Sequence, residues 1–260
     1  MSRIGESIAR RRAQGRTAFI PFLTAGDPSV DHTVEAAVAL EAAGADVLEL
    51  GVPFSDPLAD GPVIQRSSER ALARGVTLET VLDGVRRIRE RSALPLLLFS
   101  YFNPLLQRGL ERLASEAADA GVDGVLVTDL PPEEGEEWVR AARAAALDTV
   151  FLAAPTSPPE RLSRVAEASR GFVYAISRTG VTGERRALSD EAPPLVERLR
   201  GLTDVPVALG FGLSTPEQVA EAVTVADGVV VGSALVRFLE REPDGDVGAQ
   251  VRWLTSTIRG

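Results

Sequence analysis

The chain has no cysteine, one histidine, His32, and no lysine; all 28 of its basic residues are arginine. Without cysteine there are no disulfides, thiolate nucleophiles or thiolate metal ligands. A single histidine rules out a multi-histidine metal centre. Without lysine no side chain can form a Schiff base, which removes covalent aldolase chemistry and covalently held pyridoxal phosphate. His32 follows Asp27-Pro28-Ser29-Val30-Asp31 and reads as a surface residue in a helical first turn. No apolar run approaches the roughly 18 residues of a membrane span. Residues 1–14 are polar and arginine-rich, without the apolar stretch of a signal peptide. Ile4 and Ile8 there suggest a short amphipathic helix. A cytoplasmic protein is expected. The net charge of −9 lacks the basic excess that nucleic-acid binding needs.

What is present is a regular alternation. Short apolar runs at Ala18–Phe22, Val47–Leu50, Leu96–Phe99, Gly124–Val127, Thr149–Leu152, Phe172–Ala175, Val205–Leu209 and Gly228–Val231 read as strands. Between and after them, Val30–Ala43, Leu78–Arg91, Leu110–Ala120, Glu133–Ala146, Pro158–Ala168, Pro193–Leu199, Thr215–Val225 and Asp244–Ile258 carry a helical period. Eight strands each followed by a helix, in 260 residues, predict α/β architecture: one (β/α)8 TIM barrel domain over 1–260 with an extra N-terminal helix. A doubly wound open sheet is the alternative.

Three groups of residues carry chemistry. The first is Glu49, a carboxylate near the C-terminal end of the apolar run Ala45–Leu50, with Asp60 in the loop that follows. A charge at the tip of a buried strand is costly unless paired or used, and in parallel α/β folds ligands bind at that tip. Two carboxyls in unlike surroundings can act as acid and base; the alternative is a salt-bridged strand end and a turn former. The second group is three glycine-containing turns after the sixth, seventh and eighth strands: Ser177–Gly183, Gly210–Ser214 and Gly232-Ser233. Glycine turns leading into helix N-termini suit a phosphate, and barrels often hold one at this corner. The third group is aromatic. Phe22, Phe99, Tyr101, Tyr174 and Phe211 fall at or near strand ends in a chain with only 5% aromatics. They suggest a flat apolar substrate portion, set against ordinary barrel packing.

With these motifs in view, the whole chain resembles the tryptophan synthase alpha subunit family. The resemblance is carried by Pro21–Pro28, Glu49–Gln65, Val127–Pro131, Tyr174–Gly183, Gly210–Ser214 and Gly232-Ser233. It implies a lyase that cleaves indole-3-glycerol phosphate to indole and glyceraldehyde 3-phosphate, in tryptophan biosynthesis, without cofactor or metal. By the family pattern Glu49 moves the proton, Asp60 stabilises charge at the indole nitrogen and Tyr174 lies beside the reacting centre. Gly183, Gly212, Gly232 and Ser233 are implied to bind phosphate. Phe22, Ile64, Tyr101, Leu126 and Phe211 are implied to line the indole pocket, with Phe99 standing where a smaller aliphatic residue is expected. Thr182 would meet Asp60 when the loops close.

The resemblance also implies a partner, the pyridoxal-phosphate beta subunit, in an α2β2 heterotetramer. The implied contact is the rim around Pro53, Asp56, Pro57, Asn103, Pro104, Asp129 and Pro131. Two readings of other kinds stand beside it: a different phosphate-binding barrel enzyme, and a non-catalytic barrel that only activates a partner. An activator would need the rim but neither Glu49 nor Asp60.

Overall fold

Side-chain alternation along the strands decides the architecture. In Leu96-Leu97-Leu98-Phe99, Leu96 and Leu98 join one buried cluster while Leu97 and Phe99 join another. A period of two puts successive side chains on opposite faces. Both faces are therefore buried, as in a parallel sheet covered by helices and closed on itself.

The computed structural model describes residues 2–176, 189–210 and 212–256. The first half runs α1 (Arg3–Ala13), β1 (Ala18–Thr24), α2 (Val30–Ala42), β2 (Leu48–Gly51), α3 (Pro62–Ala73), α4 (Leu78–Arg89), β3 (Leu96–Ser100), α5 (Phe102–Arg108), α6 (Leu110–Ala120) and β4 (Gly124–Val127). It continues through α7 (Glu136–Ala144), β5 (Asp148–Val150), β6 (Leu152–Ala153), α8 (Pro159–Ala168), β7 (Val173–Ile176), α9 (Ala192–Arg200) and β8 (Val207–Gly210). Last come α10 (Pro216–Ala222), β9 (Gly228–Val231), α11 (Ser233–Arg241) and α12 (Val247–Leu254). All pairings are parallel, in the order β5-β4-β3-β2-β1-β9-β8-β7-β6. Only Phe151 separates β5 from β6, and its carbonyl accepts from the Tyr174 N–H at 3.1 Å. The expected fifth strand is thus one interrupted strand that closes the ring, giving a (β/α)8 barrel.

The inner cluster holds Ile20, Phe22, Val47, Leu97, Phe99, Leu126, Val150, Phe172, Tyr174, Ala208 and Val230. Ile4 and Ile8 of α1 are fully buried in the same cluster. The extra helix therefore plugs the N-terminal end of the barrel and leaves the C-terminal end for chemistry. The helix α5 has no counterpart among the predicted helices. Pro104 lies in the first turn of α5, where its missing N–H costs nothing. The predicted start of α7 at Glu133 is too early. The Glu134 N–H turns back to the Pro131 carbonyl, and the helix begins at Glu136.

Three helix-to-strand turns share one design: a residue with positive φ, a buried apolar residue, an aspartate and the strand. They are Gly44-Ala45-Asp46, Gly121-Val122-Asp123 and Ala146-Leu147-Asp148, with φ of 88°, 99° and 59° at the first position. The backbone bonds match: the Ala45, Val122 and Leu147 N–H groups reach back to the carbonyls of Leu40, Ala117 and Ala142. Ala146 is the one non-glycine among the described residues with positive φ. An L-residue pays about 1–2 kcal/mol there, partly offset by the lower unfolded-state freedom of alanine. Ala146→Gly is expected to stabilise the protein by about 0.5–1 kcal/mol, read as a small rise in the urea midpoint. A lowered midpoint would show that the turn is not strained.

Candidate active site

Glu49 sits on β2 in register with Phe22 of β1 and Leu97 of β3, so its side chain shares their inward face. It is 1% exposed, and among the described residues its Oε1 has no hydrogen-bond partner. Burial alone pushes its carboxyl up to about 8, so the acid keeps its proton at neutral pH. It lines a cleft of about 490 Å³, open mouth included, at the C-terminal end of the strands. Phe22, Asp60, Gly61, Ile64, Phe99, Tyr174, Gly212, Val230, Gly232 and Ser233 complete the lining.

Asp60 reaches this cleft from the loop after β2. Its Oδ2 accepts from the Tyr101 hydroxyl at 3.0 Å, and that hydroxyl accepts from the Ala59 N–H at 3.0 Å. Gln65 Nε2 donates to the carbonyls of Asp60 (2.9 Å) and Pro57 (3.3 Å), and the Phe54 ring stacks on Tyr101 with centroids 5.0 Å apart. Burial raises the Asp60 carboxyl to about 6 while the Tyr101 bond holds it down. Burial and the neighbouring Asp60 push the Tyr101 phenol up, so it stays a donor. Tyr101 does not line the cleft, unlike its expected place in an aromatic wall. A buried tyrosine hydroxyl needs a partner, and this one finds it in the Asp60 loop.

Phe22 and Phe99 meet edge to face at 5.3 Å. Tyr174 is buried on β7 beside them in the lining. Burial, then the charges of Glu49 and Asp60, hold its phenol well above the usual range. Gly210 makes room for it, since a Cβ there would stand 2.2 Å from the Tyr174 hydroxyl. Ile64 is in the lining. Leu126 is fully buried in the inner cluster, paired with Phe99 across β3 and β4, and does not line the cleft.

The glycine corner divides in two. The start of α10 is closed by its own side chains, with a capping box between Thr215 and Gln218. Gln218 Oε1 also takes the N–H groups of Ser214 and Thr215. The start of α11 has Gly232 as its N-cap and no side-chain cap, and Gly232 and Ser233 face the cleft. A helix N-terminus with open N–H groups suits an anion, so α11 rather than α10 is the better donor. Arg178, Thr182, Gly183 and Phe211 lie outside the described residues.

Of the predicted rim, Asp56, Asn103 and Asp129 are exposed, Pro57, Pro104 and Pro131 are half-buried, and Pro53 is buried. Asp129 Oδ1 takes the Phe102 N–H at 2.7 Å, fastening α5. Sequence reasoning overlooked Leu58, in the loop after β2, and Leu106, on α5, which are 80% and 54% exposed; flanked by Pro57 and Ala59 and by Leu105 and Gln107, neither carries a local signal. His32 is half-buried rather than plainly on the surface, because its Nε2 meets the Pro243 carbonyl at 2.5 Å.

The chain is 54% identical over 244 residues to the tryptophan synthase alpha chain of Solibacter usitatus, covering 94% of this chain and 91% of the relative. Among solved structures it is similar to Mycobacterium tuberculosis tryptophan synthase, with a TM-score of 0.92, 41% identity and coverage of 100% of this chain and 99% of that one. It is also similar to a chain of the Pyrococcus furiosus tryptophan synthase complex, with a TM-score of 0.87, 40% identity and coverage of 93% and 98%. Residues 8–257 match the sequence profile described as "Tryptophan synthase alpha chain", and with the barrel and its two-acid cleft this chain belongs to that family.

Proposed function

We propose that the whole barrel, residues 1–260, works as one domain in the cytoplasm, cleaving indole-3-glycerol phosphate to indole and glyceraldehyde 3-phosphate. The observation that carries the reading is Glu49: an inward carboxyl with an unpartnered oxygen, protonated at neutral pH, in the same cleft as Asp60 and the uncapped start of α11. Glu49 gives its proton to the indole carbon that bears the glycerol chain. The positive charge then spreads to the ring nitrogen, where ionised Asp60 stabilises it. Glu49, now a carboxylate, takes the proton of the hydroxyl next to the ring. As that O–H bond breaks, the carbon–oxygen double bond forms and the ring–glycerol bond breaks, its electron pair neutralising the ring. Glu49 ends protonated, as it began. Tyr174 bounds the reacting centre, and Phe22, Ile64 and Phe99 pack the indole with Leu126 behind them. Gly212, Gly232 and Ser233 hold the phosphate, together with Gly183. Among the described residues no helix is long and apolar enough to cross a membrane.

Glu49→Gln keeps the shape but cannot carry the proton. Indole release is expected to fall about 10²–10⁴-fold, and activity within a few-fold of wild type would remove Glu49 from the mechanism. The same variant is expected to be more stable than wild type. A carboxyl raised from the usual range to about 8 disfavours the folded state progressively as pH rises between those values. The melting-temperature gap should therefore open from pH 5 to pH 8; a constant gap contradicts the buried, uncompensated acid.

The reaction needs Asp60 ionised and Glu49 protonated. Turnover against pH should be bell-shaped, rising through about 6 as Asp60 loses its proton and falling through about 8 as Glu49 loses its own. Tyr101→Phe removes the bond that holds Asp60 down, so the acid limb should move up in pH while the alkaline limb stays. A loss of activity with both limbs unmoved would make Tyr101 merely structural.

The Pyrococcus furiosus relative belongs to an α2β2 complex with mutual activation. We propose that this chain likewise pairs with a pyridoxal-phosphate beta subunit, through the rim at Pro53, Asp56, Pro57, Asn103, Pro104, Asp129 and Pro131, with exposed Leu58 and Leu106 adding apolar contact. Partner contact on the Asp60 loop would favour the geometry that turns over, and closure on substrate would in turn tighten the subunits. Calorimetric titration of the beta chain with and without a substrate analogue should show tighter binding with it, alongside faster indole release. No change in either quantity favours a stand-alone lyase.

A further inference from the structure

The N-terminal end of the barrel carries four aspartates, Asp46, Asp123, Asp148 and Asp227, each next to or at the start of a strand. Three are fully engaged. Asp46 Oδ2 takes the Phe19 N–H (2.9 Å), Asp123 Oδ2 the Leu96 N–H (2.8 Å) and Asp227 Oδ2 the Val207 N–H (2.9 Å). Each also has an arginine: Arg11 on Asp46, Arg3 and Arg89 on Asp123, and Arg200 on Asp227. Asp148 breaks the pattern. Its own N–H donates to the Asp123 carbonyl, so the Asp123 N–H would be its matching donor, but that N–H already goes to the Leu96 carbonyl. Asp148 is 1% exposed, the Ser2 side chain, Arg170 and the chain's N-terminus act on its carboxyl to lower it against burial, and among the described residues Oδ2 has no hydrogen-bond partner.

Asp148 also lines a second cavity, remote from the C-terminal cleft, of about 1160 Å³ with its open mouth included. Gly5, Ala9, Ala13, Val205 and Pro206 give it apolar walls between α1 and the start of β8. Its charged lining is balanced: Asp148 and Asp204 against Arg12 and Arg170. Gly171, also in the wall, keeps the carboxylate uncovered, since a Cβ there would stand 2.7 Å from Oδ2. A buried acceptor without a donor costs free energy until a donor arrives. We infer that this cavity is a second ligand site, for a small zwitterion with an apolar body. Its ammonium would meet Asp148 and its carboxylate Arg170 or Arg12. An α-amino acid with an apolar side chain is the simplest member of the class. Arg170 lines the same cavity and its charge acts on Asp148, so one wall offers both signs to a zwitterion. Burial raises the Asp148 carboxyl, and a cation beside it would reverse that shift.

The test is ligand-observed NMR with isothermal titration on the full chain, using L-phenylalanine, n-butylammonium and N-acetyl-L-phenylalanine as probes. L-phenylalanine should bind wild type. Asp148→Asn should weaken it about tenfold or more, and Arg170→Gln should weaken it while sparing n-butylammonium. N-acetyl-L-phenylalanine, without an ammonium, should not bind. Ala9→Phe, which fills the cavity from α1, should abolish binding and keeps the question open to test if Asp148→Asn fails to fold by circular dichroism. Glu49→Gln should bind as wild type does. Three results would overturn the inference: no binding of L-phenylalanine at about 20 mM, affinity unchanged by both Asp148→Asn and Ala9→Phe, or loss of binding in Glu49→Gln, which would assign the probe to the cleft.

Discussion

One unpaired carboxyl inside an apolar barrel sets the terms for the rest of the molecule. Glu49 has hydrocarbon neighbours in register on both sides, Phe22 and Leu97, and no cation among the described residues that line its cleft. An arginine beside it would pull the acid back toward the ordinary carboxylate range and leave it ionised at neutral pH. The barrel tolerates the group because it stays neutral, and that same neutrality makes it a proton donor. Asp60 shares the cleft but meets the Tyr101 hydroxyl, which keeps it the stronger acid of the two. Two carboxyls are thus driven apart by apolar burial on one side and a single phenolic donor on the other.

The two ends of the barrel are built for opposite purposes. At the N-terminal end, three of four aspartates are locked by strand amides and arginines, and α1 seals the interior with Ile4 and Ile8. At the C-terminal end the groups are left open among the described residues: a carboxyl oxygen without a partner, a helix start without a cap, and leucines in solvent. Stability resides where polar groups are satisfied, and chemistry where they are not.

The cleft's two working parts are tied together from outside. Arg70 on α3, the helix entered directly after Asp60, grips both oxygens of Asp27 at 3.0 and 2.6 Å and reaches Glu240 of α11 at 2.7 Å. Ser67 of α3 meets Thr24 of β1 at 2.6 Å. The helix that follows the acid and the helix whose uncapped start lines the cleft are therefore fixed to each other and to β1. The planar, forked guanidinium suits such a bridge.

Much of this was legible in the sequence, because it depends on local pattern. Eight apolar runs separated by helical periods favoured the barrel over an open sheet, since the periods of 2 and 3.6 follow from backbone geometry alone. A carboxylate within a buried run singled out Glu49, and the following loop singled out Asp60. Glycine turns singled out Gly212 and Gly232, placement at a strand end singled out Tyr174, and the family resemblance added their roles. What required the tertiary structure were contacts between residues far apart in the chain. Tyr101 looked like a wall of the pocket, and only the fold put its hydroxyl 41 residues back on Asp60. Gly212 and Gly232 looked alike, and only side-chain capping separated the self-satisfied start of α10 from the open start of α11. Nothing in the sequence sets Asp148 apart from Asp46, Asp123 or Asp227; only strand pairing shows that its matching donor is already taken. Periodicity is written residue by residue, whereas partner choice is a competition among groups that only the closed barrel brings together.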